Sequence, residues 1–309
     1  MPHDHSHGHH HHHHPDPAAL EGDRRVAWAV AVNLLLTLAQ IVAGVISGSL
    51  ALIADAIHNM SDALSLVIAL AARRIGRRPA DAQMTFGYGR AEVVAALINY
   101  TTLIVIALYL AAEGVERLFN PVAVEGWTVV IVATIALAVD TVTAFLVFRM
   151  SKESVNMRAA FLHNLADALG SLAVIFAGVL ILLYDWRLID PIVTLAISGY
   201  ILWHTGKGLA PVIRVLMLAA PEDPAVPELL SALEAIPGVE NLHHVHLWHM
   251  QEHETALEAH VLLTANADAE KVKRDLKSLL QTRFGIAHSV LELETAAEAC
   301  DMPQVIGHH

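Results

Sequence analysis

Six stretches of this chain are apolar for long enough to cross a lipid bilayer, and that repetition limits the fold before any single residue is considered. A bilayer core takes about 20 mostly apolar residues in helical form, and segments 26–46, 50–72, 91–117, 127–149, 159–184 and 188–213 meet that length. They must be helices, because hydrocarbon offers no partner to an unpaired backbone amide. Ser47-Gly48-Ser49 leaves room only for a tight hairpin between the first two segments, and Pro121 and Gly126 bracket the turn between the third and fourth. Gly206, Gly208 and Pro211 interrupt the last segment, which is the weakest of the six.

Basic residues at the segment ends give an orientation. Arg24, Arg25, the Arg73–Arg78 cluster, Arg90, Arg149, Lys152, Arg158, Lys207 and Arg214 fall on one side, and only Arg117 and Arg187 on the other. Both termini of this multi-pass membrane protein are therefore expected in the cytoplasm. Composition divides the chain further. Only 16% of residues are charged, against about a quarter in soluble domains, and the deficit ends near Pro221. The expected organisation is a His-rich tail at 1–25, a six-helix membrane domain at 26–218, a soluble domain at 219–298 and a short tail at 299–309. A formal charge of −12 excludes a nucleic-acid partner, and the single Cys300 excludes an internal disulfide framework.

The soluble part reads as a small α/β unit. Residues 225–235 carry helical spacing, 240–249 and 255–264 alternate as strands, 268–284 is an amphipathic helix and 288–294 alternates again. The order αββαβ suits a ferredoxin-like sandwich with two helices on one sheet. In the second strand Leu257, Ala259, Val261 and Leu263 form the core face, which turns His260 away from it. In the third, Leu291 and Leu293 face in, leaving His288, Glu292 and Glu294 outward.

A repeat carries the chemistry. The second segment contains His58-Asn59-Met60-Ser61-Asp62-Ala63-Leu64, and the fifth contains His163-Asn164-Leu165-Ala166-Asp167-Ala168-Leu169. Spacing of four puts each histidine and aspartate on one helix face. Ionisable groups at membrane depth are costly and mark ion paths. One such pair could satisfy itself by hydrogen bonding, but two copies in different helices are hard to explain that way. Together they supply two imidazoles and two carboxylates, a tetrahedral set suited to Zn²⁺. Asp55, one turn before His58, and Asp140 in the fourth segment are candidates for lining the path. For Asn33, Gln40 and Asn99, hydrogen bonding between helices is at least as good an account.

These paired elements resemble the cation diffusion facilitator family of zinc transporters. The Phe86-Gly87-Tyr88-Gly89-Arg90-Ala91-Glu92 stretch, the His-rich N-terminus and His243-His244-Val245-His246-Leu247-Trp248 share in the likeness, which covers essentially the whole chain. The resemblance implies a homodimeric antiporter that exports cytoplasmic metal in exchange for protons by alternating access. Its cargo would be Zn²⁺, with Cd²⁺ or Co²⁺ as further candidates, bound by His58, Asp62, His163 and Asp167. It also implies regulatory Zn²⁺ on the soluble domain at His243, His260, His288 and Glu294, with His249, His253 and Cys300 as possible extras. Strand alternation turns His260, His288 and Glu294 to one face but sends His244 and His246 outward instead of His243. A strand end or bulge at His243 would reconcile the two. Some family members bind metal in the loop between the second and third helices. Here Met84 and Tyr88 stand at the histidine places and only Asp81 remains, so no loop site is expected.

Two other classes compete: a membrane-anchored metal sensor and an intramembrane zinc enzyme. An anchor has no need of paired ligands in two helices. A catalytic zinc keeps an open position and needs a base, whereas this set fills the tetrahedron, so the chain is not read as an enzyme. The run His9–His14 is either a purification tag or part of a native metal-capturing tail. The preceding Met1–Gly8 stretch is unlike a vector leader and favours the native reading, and nothing near it resembles a cleaved signal peptide.

Overall fold

The computed structural model describes residues 34–148, 155–251, 254–297 and 304–307. Within these, the side chains at 62–63, 65–66, 69, 146–148 and 155–164 fall outside the description. Six helices occupy the apolar part: α1 (Leu34–Ser47), α2 (Leu50–Gly76), α3 (Ala91–Phe119), α4 (Gly126–Phe148), α5 (Val155–Tyr184) and α6 (Ile189–Leu216). Among the described residues, α3, Gly126–Phe145 of α4 and Leu165–Tyr184 of α5 are long and apolar enough to cross a membrane. The start of the first expected segment lies outside the description. Asp55, His58 and Asn59 dilute α2, and Asp190, Pro191 and His204 dilute α6. The chain forms two compact units. One takes in the chain up to Ala63 with Glu113–Ile197, the other Leu64–Ala112 with Ser198 onward.

The first unit packs small residues between helices. Ala51 and Leu52 of α2, Val129 and Ala133 of α4, Val174, Ala177 and Ile181 of α5, and Ile189 and Val193 of α6 form one buried cluster. Glycines let α4 and α5 approach closely. A Cβ on Gly126 would lie 2.9 Å from the Gly178 carbonyl, and one on Gly178 would lie 2.8 Å from Val130. Small residues serve helix contact in lipid because packing, not apolar burial, holds spans together there.

The α1–α2 hairpin is tied down by residues far along the chain. Asp190, only 1% exposed at the start of α6, accepts the Ser49 hydroxyl at 2.5 Å and the amides of Leu50 at 2.9 Å and Ala51 at 3.4 Å. It thus caps the N-terminus of α2 from another helix, taking amides that have no partner within their own. Arg117, paired with Glu113 one turn earlier, donates to the Gly48 carbonyl at 2.5 Å. Gly48 has φ +75, the left-handed conformation that glycine adopts without strain.

In the second unit the soluble domain follows the expected order, with α7 (Val226–Glu234), β1 (Val239–Gln251), β2 (Glu254–Leu263), α8 (Ala269–Phe284) and β3 (His288–Glu294). The strands form one sheet in the order β1-β2-β3, antiparallel then parallel, with α8 as the crossover between the parallel pair. Leu229 and Leu233 of α7, Leu257, Ala259 and Val261 of β2, and Leu276 and Leu280 of α8 close the core. Asp268 caps α8 by accepting the Lys271 amide, and Gly285 ends it at φ +67. These are the stop and start signals that helix ends require.

Candidate metal centres

Helices α1, α2, α4 and α5 bring a polar group together inside the first unit. His58 of α2 and Asp167 of α5 meet with Nε2 and Oδ1 3.3 Å apart, and their side chains are 14% and 8% exposed. The two are the first residue of one heptapeptide and the fifth of the other, so the fold brings both copies of the repeat to one place. Asp62 and His163 occupy α2 and α5 one turn from these partners, and their side chains lie outside the description.

Beside that pair stands a second polar chain. The Ser171 hydroxyl of α5 lies 3.1 Å from Asp55 Oδ2 and 3.3 Å from Asp140 Oδ2, and can donate to one of them at a time. Gln40 of α1 donates its amide to the same Asp55 oxygen at 3.0 Å. Asp55, Asp140 and Gln40 are all buried. Gly170 makes room for Asp55, since a Cβ there would lie 3.0 Å from Asp55 Oδ1. Gln40 thus hydrogen-bonds between helices, and Ser171 links the Asp55 and Asp140 carboxylates one turn from Asp167 on α5.

The soluble domain carries a second group on the sheet face opposite its helices. A register shift falls between His243 and His246, with His244 at φ +48. This bulge lets Leu242 and Val245, three residues apart, both join the core and turns His243 to the opposite face, which regular alternation forbids. His243 Nε2 lies 3.1 Å from Glu294 Oε2, and His260 Nδ1 lies 2.5 Å from Glu294 Oε1. His260 Nε2 also lies 3.4 Å from Glu292, and the rings of His244 and His260 are 4.8 Å apart between centroids. Two overlapping triads, His243–His244–His260 and His260–Glu292–Glu294, each hold their ligand atoms within 4.8 Å of one another. Imidazoles with carboxylates are a donor set for Zn²⁺ or its neighbours.

The structure does not bring His288 to this group within one chain. It sits exposed at the start of β3, opposite Ala256, with its ring against Phe86 at 6.4 Å. Four strand positions, about 13 Å, separate it from Glu292, which pairs with His260. His244 and Glu292 are the residues that sequence reasoning left off the ligand set. Glu292 shares the outward parity of Glu294, and that signal pointed to it. His244 had its own signal, since strand alternation turned it outward, and it is His243 that joins through the bulge. His249 gives its backbone carbonyl to Arg90, while His253 and Cys300 lie outside the described residues.

Asp81 is a loop organiser, a role its solvent-exposed position did not suggest. It accepts the Tyr88 hydroxyl at 2.8 Å and the amides of Gln83 and Met84 at 2.8 and 2.9 Å. The Tyr88 hydroxyl first, then those amides, holds its carboxyl below the usual carboxylate range.

Long apolar helices enclosing imidazole and carboxylate groups are the make-up of a membrane ion carrier. The chain belongs to the cation efflux family, the cation diffusion facilitators. The family's transmembrane-domain profile matches residues 26–217 and its cytoplasmic-domain profile residues 221–296. It is 33% identical to the metal cation efflux system protein CzcD of Cupriavidus metallidurans, over 91% of this chain and 90% of that one. It is 34% identical to the zinc transporter ZitB of Pectobacterium atrosepticum, over 90% and 87% of the two chains. It is also 32% identical to a cadmium, cobalt and zinc/H(+)-K(+) antiporter of Bacillus subtilis, over 84% and 85%. The metal-bound C-terminal domain of the CzcD transporter from C. metallidurans matches 22% of this chain at 28% identity and TM-score 0.22.

Proposed function

We propose that this protein exports a divalent transition-metal cation, Zn²⁺ first among them, from the cytoplasm in exchange for protons. The observation that carries this reading is the His58–Asp167 contact, which joins the two ligand motifs across α2 and α5 among apolar helices. The cargo sits among His58, Asp62, His163 and Asp167. Imidazole binds metal only when unprotonated, so metal and protons compete for the same nitrogens. Metal arriving from the cytoplasm displaces protons, and protons arriving from the far side displace metal. Rocking of helices about this fixed site exposes it to each side in turn. Asp55, Asp140 and Ser171 keep a polar route beside it.

The protein works as a homodimer in a bacterial inner membrane with both termini cytoplasmic. Its soluble domains pair the two copies and sense cytoplasmic metal through His243, His244, His260, Glu292 and Glu294. The relatives named for zinc, cadmium and cobalt support this choice of cargo. The test is a metal-by-metal flux assay in proteoliposomes with an acidic interior. Uptake of Zn²⁺ faster than without the gradient, with Mg²⁺ and Ca²⁺ excluded, is the expected result. Flux indifferent to the proton gradient would contradict the exchange.

A further inference from the structure

An apolar cavity of about 770 Å³ lies within the second unit, between the ends of α2 and α3, the loop that joins them, and β1. Its size falls in the usual range for ligand sites, about 300–1,000 Å³. Ile68 and Ile75 of α2, Val94 and Ile98 of α3, and Trp248 and Met250 of β1 line it. Val94 and Ile98 lie in the first turns of a helix apolar enough to span a membrane. They are 44% and 56% exposed, so this wall continues into surface that faces lipid. The opposite wall belongs to the cytoplasmic domain.

Charge selects among occupants. Among the described residues no carboxylate lines the cavity, and the one charged liner is Arg90, whose guanidinium donates to the Met250 carbonyl at 2.9 Å and the His249 carbonyl at 3.3 Å. Where α2 ends, Arg74, Arg77 and Arg78 are exposed. Arg78 lies over the ring of Tyr88, a cavity liner, at 5.9 Å. An apolar slot continuous with a membrane span and rimmed by guanidinium groups matches a molecule with a hydrocarbon chain and an anionic head. A soluble metabolite has no use for the first feature, and an uncharged lipid none for the second.

We propose that this cavity binds an anionic phospholipid, one acyl chain between α2–α3 and β1 and the phosphate on the Arg77 and Arg78 guanidinium groups. The lipid would then set the spacing between the start of α3 and the strand that carries His243 and His244, making transport sensitive to membrane charge. The proposal stands independently of which ion is carried.

Trp248 supplies the readout. Full-length protein keeping Trp248 as its one tryptophan, with Trp28, Trp127, Trp186 and Trp203 changed to Phe, is placed in vesicles of phosphatidylglycerol or phosphatidylcholine with brominated acyl chains. Trp248 emission should be quenched by the brominated chains, and more strongly with phosphatidylglycerol. Arg77→Gln and Arg78→Gln should weaken the preference for the anionic lipid about fivefold for each guanidinium removed. Ala71→Phe, which places a ring in the cavity from an exposed position, should abolish quenching, and Val94→Phe is the second filling variant should the first fail to elute as folded protein. Emission unchanged by bromine would overturn the proposal. So would equal quenching by the two lipids, quenching that survives in a folded filling variant, or protection of Trp248 only on association with a second copy.

Discussion

His58 Nε2 and Asp167 Oδ1 lie 3.3 Å apart although they belong to different helices and different copies of the repeat. In either helix alone the partner lies one turn away, so each heptapeptide could have satisfied itself. The cross-helix contact instead makes α2 and α5 two halves of one polar site. That arrangement makes the order of the helices matter for function, and it directs where substitutions should act.

The hairpin anchor should matter for stability rather than for metal. Asp190→Ala strips the acceptor from Ser49, Leu50 and Ala51 in a buried setting. Loss of a cap together with stranded amides costs about 2 kcal/mol or more. The thermal midpoint of purified Asp190→Ala should fall, while zinc bound per folded protein stays at the wild-type value. A normal midpoint would show that the cap adds nothing.

The imidazole group on the soluble domain should couple metal to stability. Zinc at a hundredfold excess over its dissociation constant stabilises the state that binds it by about 2.7 kcal/mol. Hydrogen exchange of β1 and β3 in the full-length protein should therefore slow with zinc. His260→Ala, which removes the residue common to both triads, should erase that response and leave membrane transport in place. Undiminished zinc protection in this variant would remove His260 from the ligand set, whereas His288→Ala is expected to leave the protection intact.

Acid should loosen the loop between α2 and α3. Asp81 has a folded pKa below its ordinary value, so the carboxylate adds loop stability above the unfolded value of about 3.9. That stability is lost as pH falls through the folded value, and it is fully present at neutral pH. The Asp81 hydrogen bond in turn holds the Tyr88 phenol above its ordinary range. Asp81→Asn should bring the Tyr88 absorbance titration back toward that range and speed amide exchange at Gln83 and Met84 at pH 7. An unmoved Tyr88 titration would contradict the bond.

Much of this architecture was legible in the sequence because the rules behind it are local. Apolar runs placed the helices, and two-residue alternation placed β2, where Leu257, Ala259 and Val261 are fully buried. The paired motifs pointed to His58 and Asp167 through spacing alone. What stayed hidden depends on contacts between distant segments. Asp190 carries no signal in the sequence because its donors lie in another hairpin. Asp81 read only as the remnant of a loop metal site, because the folded loop alone returns Tyr88 to it. Glu294 was turned outward by parity, yet it is 4% exposed because His243 and His260 cover that face. The bulge that admits His243 rests on one positive φ at His244, which no periodicity encodes.

The most direct measurement is zinc flux into acid-loaded proteoliposomes holding wild type, His58→Ala or Asp167→Ala at matched amounts of folded dimer. On the proposed four-ligand site, loss of one ligand leaves the ion under-coordinated in a low-dielectric setting, where an unmatched charge is costly. Gradient-driven uptake should therefore vanish in both variants while their thermal midpoints stay close to wild type. Wild-type uptake through either variant would contradict the account, because zinc would then cross without the residues that join α2 to α5.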